Sequence, residues 1–510
     1  MSLAVLLSRS LIGLDAPTVR VEVHLARGLP SFGIVGLADA EVRESRERVR
    51  AALQSSGYDF PLGRLTVNLS PADLPKESGR FDLPIAIGVL LVSGQVSILE
   101  RTQGEATLKR STLLANLVLA GELSLTGALV STKGALAIAL SVARSSPAAT
   151  LVLPMEDAIE AARVPGLVVL GARTLAEVVG HLDGSNPLVF SEPAPLVEQA
   201  SNQGCLSELR GQLLARRALE LAAAGGHSML LSGSPGVGKS MLAKRMPGIL
   251  PALSHAESLE VASIAAFAGL SRPLSSARPF RAPHHSASVA AIIGGGLKPK
   301  PGEVSLAHRG VLFMDELPEF DRRVREALRE PLENYEIALA RANLKVVYPA
   351  DFQLLATMNP CPCGWCGHPK RACRCRPEHV LTYQSRVSGP LIDRIDLQIH
   401  LTQEKEKWLD LPPGEASALV RERVTQAWYR QHNRQGGLNA RLSDGQLEGV
   451  CVMDTAAKNL LGRLIDQFSL SARAIQRVRR VARTIADLES RPMIEAHHFA
   501  EAFQYRSKSL

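Results

Sequence analysis

Gly233-Ser234-Pro235-Gly236-Val237-Gly238-Lys239-Ser240 decides the fold of this chain, because it fills every fixed position of the phosphate-loop pattern G-x-x-x-x-G-K-[ST]. The residues before it, His227-Ser228-Met229-Leu230-Leu231-Ser232, read as a short buried strand, and Met241-Leu242-Ala243-Lys244-Arg245 after it reads as helix. Strand, loop and helix are the context that the motif requires. Glycines at Gly233, Gly236 and Gly238, with Pro235 and Val237 between them, let backbone N–H groups close around phosphates. Lys239 supplies a point charge and the Ser240 hydroxyl is a Mg²⁺ ligand, so ATP and Mg²⁺ are the implied cofactors.

About 75 residues further on, Gly310-Val311-Leu312-Phe313-Met314-Asp315-Glu316 is an apolar strand ending in two carboxylates, the Walker B arrangement. Asp315 is placed to hold the Mg²⁺ shell and Glu316 to polarise the attacking water. Another apolar strand, Phe352 to Met358, ends in Asn359, whose amide suits the sensor 1 role of AAA+ ATPases; an Asn before Pro360 equally serves as a turn residue. The segment Ser388-Gly389-Pro390-Leu391-Ile392-Asp393-Arg394-Ile395-Asp396-Leu397 resembles the one that carries the arginine finger in AAA+ proteins of the Mg-chelatase and MCM type. If Arg394 is that finger the active form is a ring; Arg386 is the nearest alternative, and a salt-bridged Arg beside Asp393 and Asp396 is the plainer one. Finally, Ser471 to Arg483 is an Arg-rich amphipathic helix in which Arg473 matches the sensor 2 position and the other arginines read as a solvated face.

With 510 residues, 46% of them hydrophobic, the chain has material for several globular domains, and its net charge of +8 is compatible with a polyanionic partner without demanding one. The longest apolar run, about 12 residues around Leu83 to Gly94, is short of a bilayer span, and no secretory signal opens the sequence, so a cytoplasmic location without membrane association is expected. Residues 1–185 alternate short strands (Arg64 to Leu69, Thr150 to Leu153) with helical stretches (Glu41 to Ser55, Gly134 to Arg144) and read as one α/β domain. A Pro- and Ser-bearing linker over 186–205 separates it from a nucleotide-binding core over 206–400, and 401–510 reads as an all-helical lid.

Pro279-Phe280-Arg281-Ala282-Pro283-His284-His285-Ser286, Tyr348-Pro349-Ala350-Asp351-Phe352, Asn359-Pro360-Cys361-Pro362-Cys363-Gly364 and Ala482-Arg483-Thr484-Ile485-Ala486-Asp487-Leu488 resemble the Mg-chelatase-like AAA+ ATPase family over nearly the whole chain. The fold class that follows is α/β, with a Lon-protease-like (ribosomal S5 type) N-terminal domain, an AAA+ P-loop core and a helical C-terminal lid. The resemblance implies a homo-hexameric, ATP-driven DNA helicase that promotes branch migration of recombination junctions in natural transformation. Its implied partners are single-stranded, forked or junction DNA and a recombinase or other recombination proteins. In the Lon-like segment the chemistry is gone: Phe81 or Asp82 stands where the nucleophile would be and Leu136 near the lysine position, with Ser78 and Lys133 close by as a shifted pair.

Two insertions are DNA-contact candidates. Arg278 to Lys300 holds Arg281, His284, His285, Lys298 and Lys300 around a triple-glycine turn, and Glu333 to Val347 reads as a hairpin with Arg341 and Lys345 near its tip. Inter-subunit packing is the bland alternative for both. Five of the seven cysteines lie between Cys361 and Cys375, and four thiolates suffice for tetrahedral Zn²⁺. The resemblance selects Cys361, Cys363, Cys373 and Cys375 as ligands of a structural zinc and leaves Cys366 spare. Two competing functions stand beside the DNA motor: a chelatase-type AAA+ subunit remodelling a protein partner, and an active Lon-class protease, which the missing Ser and Lys disfavour.

Overall fold

The computed structural model describes residues 3–36, 39–76, 78–98, 102–103, 106–107, 114–193, 204–270, 274–296, 299–341, 344–402, 411–468 and 470–506. The chain forms two compact units, residues 1–196 with 262–274, and residues 197–261 with 275–510. No helix among the described residues is long and apolar enough to cross a membrane.

Alternating burial along β1 (Leu3–Arg9) and β2 (Thr18–Ala26) makes them an antiparallel pair in the middle of a seven-stranded sheet. The other strands are β3 (Ser31–Val35), β4 (Arg64–Ser70), β5 (Leu117–Leu119), β6 (Thr150–Pro154) and β7 (Val168–Ala172), in the order β7-β6-β5-β1-β2-β4-β3. Only β2 runs against the rest. Helices α1 (Ala40–Ser55), α2 (Asp82–Ser93) and α3 (Ala135–Ser145) complete the unit's framework. α2 is apolar on all sides and buried from Asp82 to Val92, as a helix laid flat on a sheet must be. Gly88 is the point of closest approach, where a Cβ would stand 2.4 Å from Val23 Cγ2.

The second unit is built on five parallel strands: β8 (Met229–Gly233), β9 (Phe280–Arg281), β10 (Val311–Met314), β11 (Gln353–Met358) and β12 (Leu397–Leu401). Their order is β9-β10-β11-β8-β12, so β8, the first in sequence, lies between the last two. β8, β10 and β11 are buried at every position, the continuous apolar run of a strand covered on both faces. A separate hairpin pairs Glu336–Arg341 with Leu344–Pro349, Arg341 opposite Leu344.

From Leu411 onward the described residues contain helices and no strand, only an isolated bridge between Met453 and Ile494. Helix α4 (Leu213–Gly225), which precedes β8, shares one apolar core with the C-terminal helices α5 (Ser417–Gln435) and α6 (Ala472–Leu488): Ala218, Leu221 and Ala222 belong to the same cluster as Val424, Val478, Val481 and Ile485. The arginines of α6 are therefore not a simple solvated face. Arg479 and Arg483 are buried, Arg483 against Asp487, and Arg477 donates to Asp396 at 2.5 Å just ahead of β12. Asp396 also meets His227 Nδ1 at 3.1 Å, and His227 Nε2 lies 2.8 Å from Thr484 on α6. Burial alone would raise the Asp396 carboxyl, but Arg477 and His227 hold it well below the usual carboxylate range. One buried ionic chain thus ties the foot of β8 and the start of β12 to the C-terminal helices.

Candidate nucleotide site

Five buried residues of β8 deliver the chain to the carboxyl end of the sheet, where it turns through Ser234 to Gly238 and enters a helix at Lys239. Gly233 has φ 150° and a Cβ there would lie 2.5 Å from the Leu401 carbonyl oxygen, so only glycine fits. Lys239 Nζ is folded onto the loop, donating to the carbonyls of Gly233 (2.5 Å) and Ser234 (3.0 Å) and to Asn359 Oδ1 (3.0 Å). Burial draws the ammonium below its usual range, while Asp315 and Glu316 oppose that drift.

Ser240 Oγ donates to both oxygens of Asp315, at 3.0 and 3.1 Å. Thr357, one strand over on β11, donates to Asp315 Oδ1 at 2.6 Å and accepts the Glu316 N–H at 2.9 Å. Glu316 has φ 56°, a left-handed backbone that costs a non-glycine residue about 1 kcal/mol or more, and its side chain is exposed at the end of the Walker B strand. No motif points to Thr357. Its one signal in the sequence is a hydroxyl within the apolar run Leu354 to Met358. The phosphate loop is thus hydrogen-bonded to Asn359 through Lys239 and to Asp315 through Ser240, with oxygens suited to a hard divalent cation at Ser240 and Asp315.

Three family descriptions match the chain: "Magnesium chelatase, subunit ChlI" over residues 205–409, "Subunit ChlI of Mg-chelatase" over 21–157, and "Magnesium chelatase, subunit ChlI C-terminal" over 414–506. The uncharacterized protein YifB of Escherichia coli is 43% identical over 99% of this chain and 97% of its own length. The competence protein ComM of Haemophilus influenzae is 42% identical over 99% of this chain and 98% of its own. The chain belongs to the Mg-chelatase-like AAA+ family. A weaker likeness, 23% over 41% of this chain, extends to the DNA replication licensing factor Mcm6 of Drosophila melanogaster.

The arginines expected to complete the site of this Mg-chelatase-like AAA+ protein take no part in the hydrogen bonds just described. Arg394 is buried, donates to the Pro390 carbonyl at 2.6 Å and pairs with Glu333. Arg473 is exposed at the start of α6, and its charge also bears on Glu333, whose carboxyl is lowered first by the Arg394 hydrogen bond. Arg386 is exposed and pairs with Glu319 at 3.3 Å.

Among the DNA-contact candidates, Arg281 is held by both oxygens of Glu303 at 2.6 and 2.7 Å, so it is no free cation. His284 and His285 are exposed with rings 4.0 Å apart, and Lys300 and Lys345 are exposed. Lys298 lies outside the described residues, and for Arg341 only its place in the hairpin is described. A cavity of about 140 Å³ lined by Arg278, Asp351, Trp428 and Arg441 is distinct from the nucleotide site; its guanidinium groups already pair with Glu257 and Asp351.

The sulfurs of Cys361, Cys363, Cys373 and Cys375 lie within 4.8 Å of one another, with Cys361 to Cys363 at 3.4 Å and Cys373 at 3.6 Å from both. Four thiolates around Zn²⁺ stand roughly 3.8 Å apart when each Zn–S bond is about 2.3 Å, so the set fits the ion. Cys366 is outside the group; its backbone N–H donates to Cys361 Sγ. Backbone N–H groups of Arg374 and Trp365 lower the Cys363 thiol to about 6, while burial and the neighbouring sulfurs push Cys361 and Cys375 up.

In the first unit, the residues expected at the protease positions are packed into the scaffold or already partnered, apart from Lys133. Phe81 and Leu136 are buried, and buried Asp82 accepts from Arg48 Nε at 2.6 Å and from the Leu123 N–H at 3.2 Å. Ser78 Oγ accepts from Arg80 at 2.8 Å, while Lys133 is exposed.

Proposed function

We propose that this chain is the protomer of a hexameric AAA+ motor that uses ATP to move DNA strands, acting as a helicase that migrates recombination junctions during natural transformation. The supporting observation is the Lys239, Ser240, Asp315, Thr357 and Asn359 cluster at the carboxyl ends of parallel strands. It stands in a chain 42% identical, over 99% of its length, to a protein named for competence. ATP binds in the phosphate loop, where Ser240 and Asp315 would hold Mg²⁺, whose charge would offset that of the phosphates. Lys239 exchanges its carbonyl partners for phosphate oxygens, Glu316 orients and polarises the attacking water, and Asn359 senses the terminal phosphate. Arg394 completes a neighbour's site in trans after leaving Glu333, and Arg473 reaches the nucleotide from the lid. His284, His285, Lys298, Lys300, Arg341 and Lys345 face DNA, and Zn²⁺ on the four cysteines is structural.

ATP hydrolysis measured with and without single-stranded or forked DNA, beside a branch-migration assay on defined junctions, tests this. Stimulation by DNA with movement of the junction is expected, and turnover indifferent to DNA overturns it. The ChlI descriptions favour a second reading, a chelatase-type subunit that remodels a protein partner, for which turnover would answer to that partner and not to DNA.

A further inference from the structure

The cysteine segment Cys361 to Pro377 contains Lys370, Arg371, Arg374 and Arg376 and not one carboxylate. All four cations are exposed, and none is in an ion pair among the described residues. Arg322, Arg323 and Arg473 of the same unit are also exposed and outside the ion pairs of the described residues, so what marks the knuckle is density: four such cations within the seven residues from Lys370 to Arg376. Four thiolates on Zn²⁺ would carry a net charge of about −2, so the knuckle keeps a surplus of positive charge on its exposed side chains, whose mutual repulsion an external anion relieves.

The knuckle is also pre-shaped. His368 Nδ1 accepts from the backbone of Lys370 (3.1 Å) and Arg371 (2.9 Å), and the Arg371 guanidinium lies over the Trp365 ring at 4.4 Å. An arginine held over an aromatic ring has less freedom to lose when it meets a phosphate. On the inner side the same knuckle follows directly from Asn359, and Gly364 sits against the phosphate loop, where a Cβ would lie 2.6 Å from Pro235 Cγ and Cδ.

We infer that the cysteine knuckle is itself a nucleic-acid contact, in which Lys370, Arg371, Arg374 and Arg376 engage successive phosphates of one strand. This rests on the DNA-motor reading and adds to it a binding surface joined to the phosphate loop through Gly364 and Pro235. A strand held there is linked to the phosphate loop through the Gly364 to Pro235 contact, a route between DNA occupancy and ATP turnover.

The test compares the full-length protein with the variant Lys370→Gln/Arg371→Gln/Arg374→Gln/Arg376→Gln, and with a control that removes four exposed cations elsewhere, Arg27, Arg421, Lys458 and Arg463. Affinity for a labelled oligothymidylate is measured across a salt series, with zinc content and assembly size recorded on the same samples. The knuckle variant is expected to bind at least about tenfold more weakly, with a salt slope shallower by roughly 0.7 for each phosphate no longer neutralised, while the control changes little. Equal affinity and slope in wild type and knuckle variant overturn the inference, leaving the motor reading intact; a wild type that binds no DNA overturns both. Smaller assemblies in the knuckle variant identify the patch as a protomer-protomer surface and also overturn it. If the fourfold variant loses zinc, the pair Arg374→Gln/Arg376→Gln carries the same comparison.

Discussion

Asp82 at the start of α2 and Asp315 at the end of β10 are carboxylates at equivalent kinds of place, the junction of a buried element with the next turn, and they are treated in opposite ways. Asp82 is fully buried, and Arg48 and the Leu123 N–H occupy it from inside. Asp315 is half-exposed and is met by two hydroxyls, Ser240 and Thr357, beside the exposed Glu316. A buried ion pair fixes a scaffold, whereas hydroxyl partners yield when a stronger cation arrives. The first unit therefore locks its carboxylate into the scaffold, while the second keeps its polar groups exchangeable.

The largest break in that comparison is Lys239→Ala. Its ammonium is the one charge in the loop poised to leave carbonyl partners for phosphate, and turnover is expected to fall at least about 100-fold, with thermal melting little changed. A variant that hydrolyses ATP normally would place the site elsewhere. Glu316→Gln keeps shape and removes the negative charge, so nucleotide binding by equilibrium dialysis should persist while turnover falls by about two orders of magnitude. Mixing these subunits with Arg394→Ala subunits sharpens the point: partial recovery is expected if Arg394 acts across a protomer boundary, and no recovery counts against it.

Asp82→Ala has the opposite signature. Removing Asp82 takes away the close buried partner of Arg48 and leaves it the exposed Glu44 at 3.8 Å, at a cost of about 3 kcal/mol read in denaturant unfolding. ATP turnover by the folded protein should not change. A turnover defect larger than the stability loss would mean that the first unit's charge cluster takes part in chemistry.

Much of this was legible in the sequence because local pattern and tertiary role coincide there. The phosphate loop needs glycine at positive φ and the Walker B strand needs an unbroken apolar run, so both announce themselves in order along the chain. The all-helical C-terminal part and the grouping of Cys361, Cys363, Cys373 and Cys375 were legible for the same reason. The arginines were not. Arg281, Arg394, Arg479 and Arg483 look alike on paper, yet each is captured by a partner, Glu303, Glu333, Glu448 and Asp487, that lies on another element or a turn away. Pairing across the fold carries no local periodicity, and a free cation is distinguished from a bound one only when the chain is folded.

Thr357 is the smallest and most discriminating case. Its hydroxyl donates to Asp315 and accepts the Glu316 N–H, so one oxygen sets the spacing of both Walker B acids and stabilises the left-handed turn at Glu316. Thr357→Val preserves volume and β-branching in β11 and removes only that oxygen. The Glu316 N–H then lacks its partner, at a cost of about 1 to 3 kcal/mol. Turnover should drop about tenfold, and the Mg²⁺ concentration for half-maximal rate should rise as Asp315 loses its second anchor. Thr357→Ser, which retains the oxygen, should restore most of both. If valine and serine behave alike, the hydroxyl is only filling space in the sheet and Asp315 is positioned by Ser240 alone.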